Sequence, residues 1–151
     1  MGKILLARHA KYRTDEKFNP NLSEEGLEQA KNLAMKIQIE FGCPSEDITI
    51  WTSPTNRTIQ TAEIIKNELL IPENNFTVCE KLSTDFFQEA DFIWLKRQVR
   101  DFQKNNKGNL IIITHQEYSE FPSAICLGFV SHLIGFAQGI LMDGNKATFF
   151  N

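Results

Sequence analysis

Along the chain, short unbroken apolar runs alternate with longer stretches whose apolar positions recur every three or four residues. The runs read as strands buried on both faces and the stretches as helices lying over them. Ile4 to Ala7 is the first run, and it stops abruptly at Arg8-His9. A polar segment, Lys11 to Pro20, follows as a loop. Ser23, with Glu24 and Glu25 behind it, then suits the N-cap and acidic first turn of a helix. That helix carries Leu27, Ala30, Ala34, Ile37 and Phe41 on one face and is closed by Gly42 and Pro44. Gly26 weakens its first turn unless something packs closely there.

Ile48 to Trp51, within Asp47 to Thr52, predicts the second strand. Ser53-Pro54 then reads as N-cap and first helical position of a second helix, with Ile59, Ala62, Ile65 and Leu69 inward and Pro72 beyond its end. Phe76 to Cys79 predicts a third strand, Ser83 to Glu89 a loop, and Asp91 to Phe102 a helix with an interrupted apolar face. After the turn Asn105 to Gly108 comes the most strand-like segment, Asn109 to Thr114, ending at His115. A helix over Ser119 to Leu127 follows, with Pro122 in its first turn and Gly128 past its end. Phe136 to Met142 and Lys146 to Phe150, joined through Asp143-Gly144-Asn145, predict a closing β-hairpin. This alternation implies an α/β three-layer sandwich: a mostly parallel central sheet, helices on both faces and a C-terminal β-hairpin, in one domain over residues 1–151.

Composition narrows the function more than the fold. A net charge of −3 with 42% apolar and 23% charged residues argues against a general nucleic-acid or membrane-surface partner, so any anion must be caught locally. No charged segment leads into a long apolar one, and no eighteen apolar residues run together; the expectation is a cytoplasmic protein. Cys43, Cys79 and Cys126 are odd in number, far apart and without metal-type spacing, which reads as free thiols in the packing.

The candidate chemistry lies at the strand ends. In an open α/β sheet, ligands bind outside the carboxyl ends of the strands. Arg8 and His9 follow the first strand, Ser53 to Arg57 the second, and His115 the run from Leu110 to Thr114. Two arginines and two histidines converging there suit a phosphoryl group. A guanidinium offers a planar fork of donors to phosphate oxygens and keeps its charge. A neutral imidazole is a competent nucleophile and can carry a phosphoryl group covalently. His9 is then the nucleophile, its other nitrogen donating to a carbonyl or carboxylate that fixes the tautomer, and His115 a donor to phosphoryl oxygens. Ser53, at the helix start, adds free N–H groups and joins the phosphate-binding set. His132 reads as an ordinary surface residue, as do Lys11 and Arg13, although these two lie close enough to the mouth to favour an anion. No cofactor is called for, and no metal, since the histidines lack a carboxylate or thiolate partner at ligand spacing.

These residues also resemble a known family. LLARHA resembles the RHG signature of the histidine phosphatase (phosphoglycerate mutase-like) superfamily, LSEEGLEQA its LT..G..QA helix motif, TSPTNRTIQTAEII its SSP..R..QTA block, and IITHQE its second-histidine strand. The match runs through His115, and the chain length is similar to the short bacterial phosphohistidine phosphatase branch. The resemblance implies that His9 is phosphorylated and that Arg8, Arg57 and His115 form the phosphate pocket. Two positions depart from the pattern. Ala10 stands where glycine is usual. Thr84 stands two residues after Leu82, where mutase-like members carry a glutamate as general acid. That role passes to Asp85, which is favoured, to Glu80 or Glu89, to the substrate, or to water. Asp85 would need partial burial to raise its pKa, whereas a cationic pocket pushes it down.

The expected function is therefore a phosphatase acting on a phosphorylated protein, with phosphohistidine included, or on a small phosphorylated metabolite, through a phosphohistidine on His9. A phosphate-recognising module with little turnover and a phosphoglycerate-type mutase are the alternatives. Specificity is assigned to the loops Lys11 to Asn21, Ser83 to Asp91 and Gln116 to Phe121, with Phe86, Phe87 and Tyr118 as an apolar wall.

Overall fold

The computed structural model describes residues 2–84 and 89–151, so Asp85, Phe86 and Phe87 lie outside the described residues. Six strands form one sheet in the order β3-β2-β4-β1-β5-β6. These are β1 (Ile4–Arg8), β2 (Ile48–Thr52), β3 (Phe76–Val78), β4 (Asn109–Thr114), β5 (Gly139–Asp143) and β6 (Lys146–Phe150). β3, β2, β4 and β1 are mutually parallel, while β5 runs antiparallel to β1 and β6 antiparallel to β5. The helices are α1 (Glu24–Phe41), α2 (Asn56–Leu69), α3 (Glu89–Asn105) and the short α4 (Phe121–Ile125).

Side chains alternate across the sheet, and the two faces are covered separately. Leu5, Ala7, Ile50, Ile111 and Ile113 pack with Leu33, Ala34 and Ile37 of α1 and Ala62 and Ile65 of α2. Ile4, Leu6, Leu110 and Ile112 pack with Leu95 and Val99 of α3 and Phe121 of α4. The three-layer expectation holds, and β1 and β4 are unbroken apolar runs because both faces are roofed. Among the described residues, no helix is long and apolar enough to cross a membrane.

Several local expectations are corrected. The N-cap of α2 is Thr55, whose side chain accepts from the Thr58 N–H, and not Ser53; the Ser53 hydroxyl is engaged elsewhere and the chain needs two more residues to turn. The expected helix over Ser119 to Leu127 is a 3₁₀ segment, Gln116–Glu120, followed by α4, which ends at Ile125. Leu27 is 41% exposed, and Leu33 takes the inward position on α1. Phe136 precedes β5 in a turn, so the hairpin's first strand begins later than its apolar run. Gly26 meets the condition set for it: a Cβ there would run into the Lys11 carbonyl, so the loop after β1 sits directly on the first turn of α1.

Candidate active site

Parallel pairing brings three strand ends to one edge. Arg8 of β1 is in register with Thr114 of β4, and Thr52 of β2 with Ile113. One residue further, the His9 N–H donates to the Thr114 carbonyl at 3.0 Å and the Ser53 N–H to the Ile113 carbonyl at 3.1 Å. His9 and Ser53 are thus fixed by the sheet ladder itself, and His115 follows directly on the last residue of β4. Arg57, on the first turn of α2, reaches them from above.

His9 is only 3% exposed. Its Nδ1 lies 2.8 Å from the Ala10 carbonyl, which can only accept, so Nδ1 carries the proton and Nε2 keeps its lone pair. Arg57 Nε donates to that Nε2 at 3.2 Å. Burial first, and the charges of Arg57 and Arg8 after it, push His9 down to about 4, against the carbonyl hydrogen bond that raises it. The ring is therefore neutral at neutral pH, the state in which an imidazole nitrogen is able to attack an electrophile.

The second imidazole stands edge-on to the first, with ring centroids 5.3 Å apart. His115 Nε2 and Ser53 Oγ are 2.7 Å apart, and Arg57 Nη2 lies 3.5 Å from His115 Nδ1. Burial, then His9, Arg57 and Arg8, push His115 down to about 3. Ser53 is fully buried, and its hydroxyl, able to donate or accept, serves His115 in either neutral tautomer.

Arg8 donates from Nη1 to the Ile134 carbonyl at 3.3 Å, while its buried Nε has no hydrogen-bond partner. An orphaned buried guanidinium N–H is costly unless an anion meets it. Burial pushes Arg8 below its ordinary value, and the exposed carboxylate of Glu117, two residues past His115, acts in the opposite sense. The helix-start contribution is smaller than expected, because the Asn56 N–H donates to Asn19 Oδ1 and the Thr58 N–H to Thr55 Oγ1.

Arg8, His9, Arg57, His115 and Ser53 are all brought together. Lys11 and Arg13 sit at the rim in ion pairs with Glu25 at 2.7 Å and Asp15 at 2.9 Å. Tyr118 is not a wall of the site: it is fully buried, and its hydroxyl donates to the Lys81 carbonyl at 2.9 Å. Glu80 is exposed, and His132 stacks on Phe149 with centroids 3.9 Å apart. The ring surfaces beside His9 come instead from Tyr12 and Phe136, at 5.7 and 5.9 Å between centroids. Tyr12 had a weak signal in its place three residues after His9. Phe136 had none, because β5 pairing beside β1 is not written locally. Among the described residues, no group of three or more His, Cys, Asp or Glu side chains could hold a metal ion.

The family model of the histidine phosphatase superfamily (branch 1) matches residues 4–83, more than half of the chain, and includes Arg8, His9, Ser53 and Arg57. The chain belongs to that superfamily.

Solved structures agree in fold at low identity. The protein histidine phosphatase SixA complexed with tungstate superposes with a TM-score of 0.77 at 16% identity, covering 97% of this chain and 93% of that one. A phosphoserine phosphatase from Entamoeba histolytica, bound to 3-phosphoglyceric acid, gives 0.68 at 15% identity over 100% and 98% of the two chains. A phosphoglycerate mutase from Bacillus anthracis gives 0.69 at 15% identity over 97% and 90%. No curated protein matches the chain.

Proposed function

We propose that this histidine phosphatase superfamily member is a phosphatase that transfers a phosphoryl group to His9 Nε2 and then to water. The observation that carries the reading is the state of His9: neutral, with its proton on the nitrogen that faces the Ala10 carbonyl, and its free lone pair beside the Arg57 guanidinium. Arg57 and Arg8 take the phosphoryl oxygens, which frees Nε2 to attack phosphorus. The Nε2–P bond forms as the bond from phosphorus to the leaving group breaks, and the leaving group departs with that electron pair. His115, with Ser53 donating to its Nε2, presents Nδ1–H to an equatorial oxygen. Water then attacks phosphorus, the Nε2–P bond breaks, and inorganic phosphate leaves.

Asp85 is the residue we assign to protonate the leaving group; it follows Thr84, which cannot. A leaving group that departs without a proton, such as the protonated imidazole of phosphohistidine, has less need of it, and this favours a phosphorylated protein over a small alkyl phosphate as substrate. The cationic pocket with Thr84 at the usual acid position supports one second reading, recognition of phosphoryl groups with little turnover.

Hydrolysis of a generic aryl phosphate by the wild type and by His9→Ala tests the reading. Loss of at least three orders of magnitude in the variant is expected, with a trapped phosphoenzyme labile in acid and stable in base. Equal hydrolysis by both proteins refutes it, whereas tight phosphate-ester binding without turnover selects the recognition reading. Asp85→Asn should slow alkyl phosphates far more than aryl ones.

A further inference from the structure

Tyr12 and Phe136 come from opposite ends of the chain and meet beside the nucleophile. Their rings stand nearly perpendicular, 85° apart in plane and 5.8 Å between centroids. Each also faces a cation of the pocket: the Arg8 guanidinium carbon lies 4.0 Å from the Phe136 centroid and that of Arg57 5.4 Å from the Tyr12 centroid. Both rings are only partly buried, so each keeps a free surface at the mouth.

The backbone under each ring is tied to the site. Tyr12 forms a bridge with Leu22, flanked by the Ser23 N–H on the Lys11 carbonyl at 3.0 Å and the Arg13 N–H on the Asn21 carbonyl at 2.9 Å. Phe136 lies in a turn closed by the Gln138 N–H on the Gly135 carbonyl at 3.2 Å. The next residue, Ala137, has a φ of 52° and donates its N–H to the carbonyl of His9 itself at 3.2 Å. A non-glycine residue in the left-handed region persists only where its surroundings over-determine it, and here they hold a ring against the nucleophile's own backbone.

Holding the two guanidiniums would account for the rings' inner faces alone. The partly exposed surfaces, at an angle to one another, leave an apolar corner next to the place where a phosphorylated group must lie. Planar rings are favoured against aromatic faces and edges beyond their area alone, whereas a saturated group of the same size gains only the area term. On its other side Tyr12 lines a cavity of about 580 Å³ with Arg13, Asp15, Glu24 and Leu27.

We infer that Tyr12 and Phe136 select a planar aromatic or heteroaromatic leaving group, a phosphorylated imidazole or phenol, over an aliphatic one. This rests on the phosphatase reading for its kinetic form and on the phosphate pocket alone for its binding form.

The test compares phenyl phosphate with cyclohexyl phosphate, which match in size and differ in planarity. Their kcat/KM ratio is measured for the wild type, Tyr12→Leu, Tyr12→Phe and Phe136→Leu, so that intrinsic leaving-group reactivity cancels between proteins. The ratio should fall about fivefold in each Leu variant and hold in Tyr12→Phe. If the rings serve only to position Arg8 and Arg57, both substrates slow together and the ratio stays put, which overturns the inference. Affinities for phenylphosphonate and cyclohexylphosphonate are measured in the same proteins. Should no phosphate ester turn over, the phosphatase reading fails, and these affinities still decide the selectivity by the same ratio.

Discussion

His9 and His115 share one edge of the sheet but differ in what fixes their protons. For His9 the Ala10 carbonyl leaves a single neutral tautomer. For His115 the partner is a hydroxyl, and the tautomer follows whatever faces Nδ1. Arg57 Nη2 at 3.5 Å favours a lone pair on Nδ1, whereas a phosphoryl oxygen facing Nδ1 would favour Nδ1–H. Ser53 accommodates the exchange by rotating its hydroxyl, and we propose that it positions His115 in addition to the phosphate-binding place proposed for it at the strand end. Ser53→Ala removes the donor that keeps Nε2 occupied and should lower kcat about tenfold with a much smaller change in KM. Steady-state kinetics with an aryl phosphate checks this, and an unchanged kcat would remove Ser53 from the mechanism.

At the scale of elements, the loop after β1 is the least independent part of the site. It carries Tyr12, it is bridged to Leu22, and its Lys11 carbonyl lies against Gly26 with no room for a Cβ between them. The Lys11 N–H is held by Gln29 Oε1 at 2.9 Å, and the Ala10 N–H by Thr61 Oγ1 at 3.0 Å, so α1 and α2 both grip the segment that follows His9. Gly26→Ala would ordinarily stabilise a helix by close to 1 kcal/mol. Here it should instead destabilise the protein and lower kcat/KM for every phosphate ester, because the intruding methyl displaces backbone that leads straight from His9. Chemical denaturation and kinetics on the same variant measure both effects; a gain in stability with full activity would show that the contact is not needed.

Across the whole molecule, what could be read from the residues was what the sheet encodes locally. β1 and β4 are buried on both faces, so they appear as continuous apolar runs, and their abrupt ends at Arg8-His9 and His115 mark the site. What could not be read depends on partners distant in sequence. Ser53 looked like an N-cap until His115, from another strand, took its hydroxyl; Tyr118 looked available until α3 and α4 closed over it; Phe136 gave no sign of meeting His9. Burying two neutral imidazoles among two guanidiniums has a consequence for the entire fold. The folded-state values of His9 and His115, about 4 and about 3, lie below the 6.5 of an ordinary histidine, so between those limits the unfolded chain binds more protons than the folded one. Stability is therefore full above about pH 6.5 and is lost as the pH falls through the window, by roughly 3 kcal/mol for His9 alone on reaching its folded-state value. The upper part of the window, from about 6.5 to 5, lies above the range in which ordinary carboxylates titrate, so the slope there belongs to histidine. Urea unfolding across that range should show stability falling with acid in the wild type and a visibly shallower slope in His115→Asn. In NMR spectra the ring signals of His9 and His115 should stay those of neutral imidazole down to pH 5. A titration of either ring near 6.5 would contradict the buried neutral pair, and with it the premise that His9 is poised to attack at neutral pH without first losing a proton.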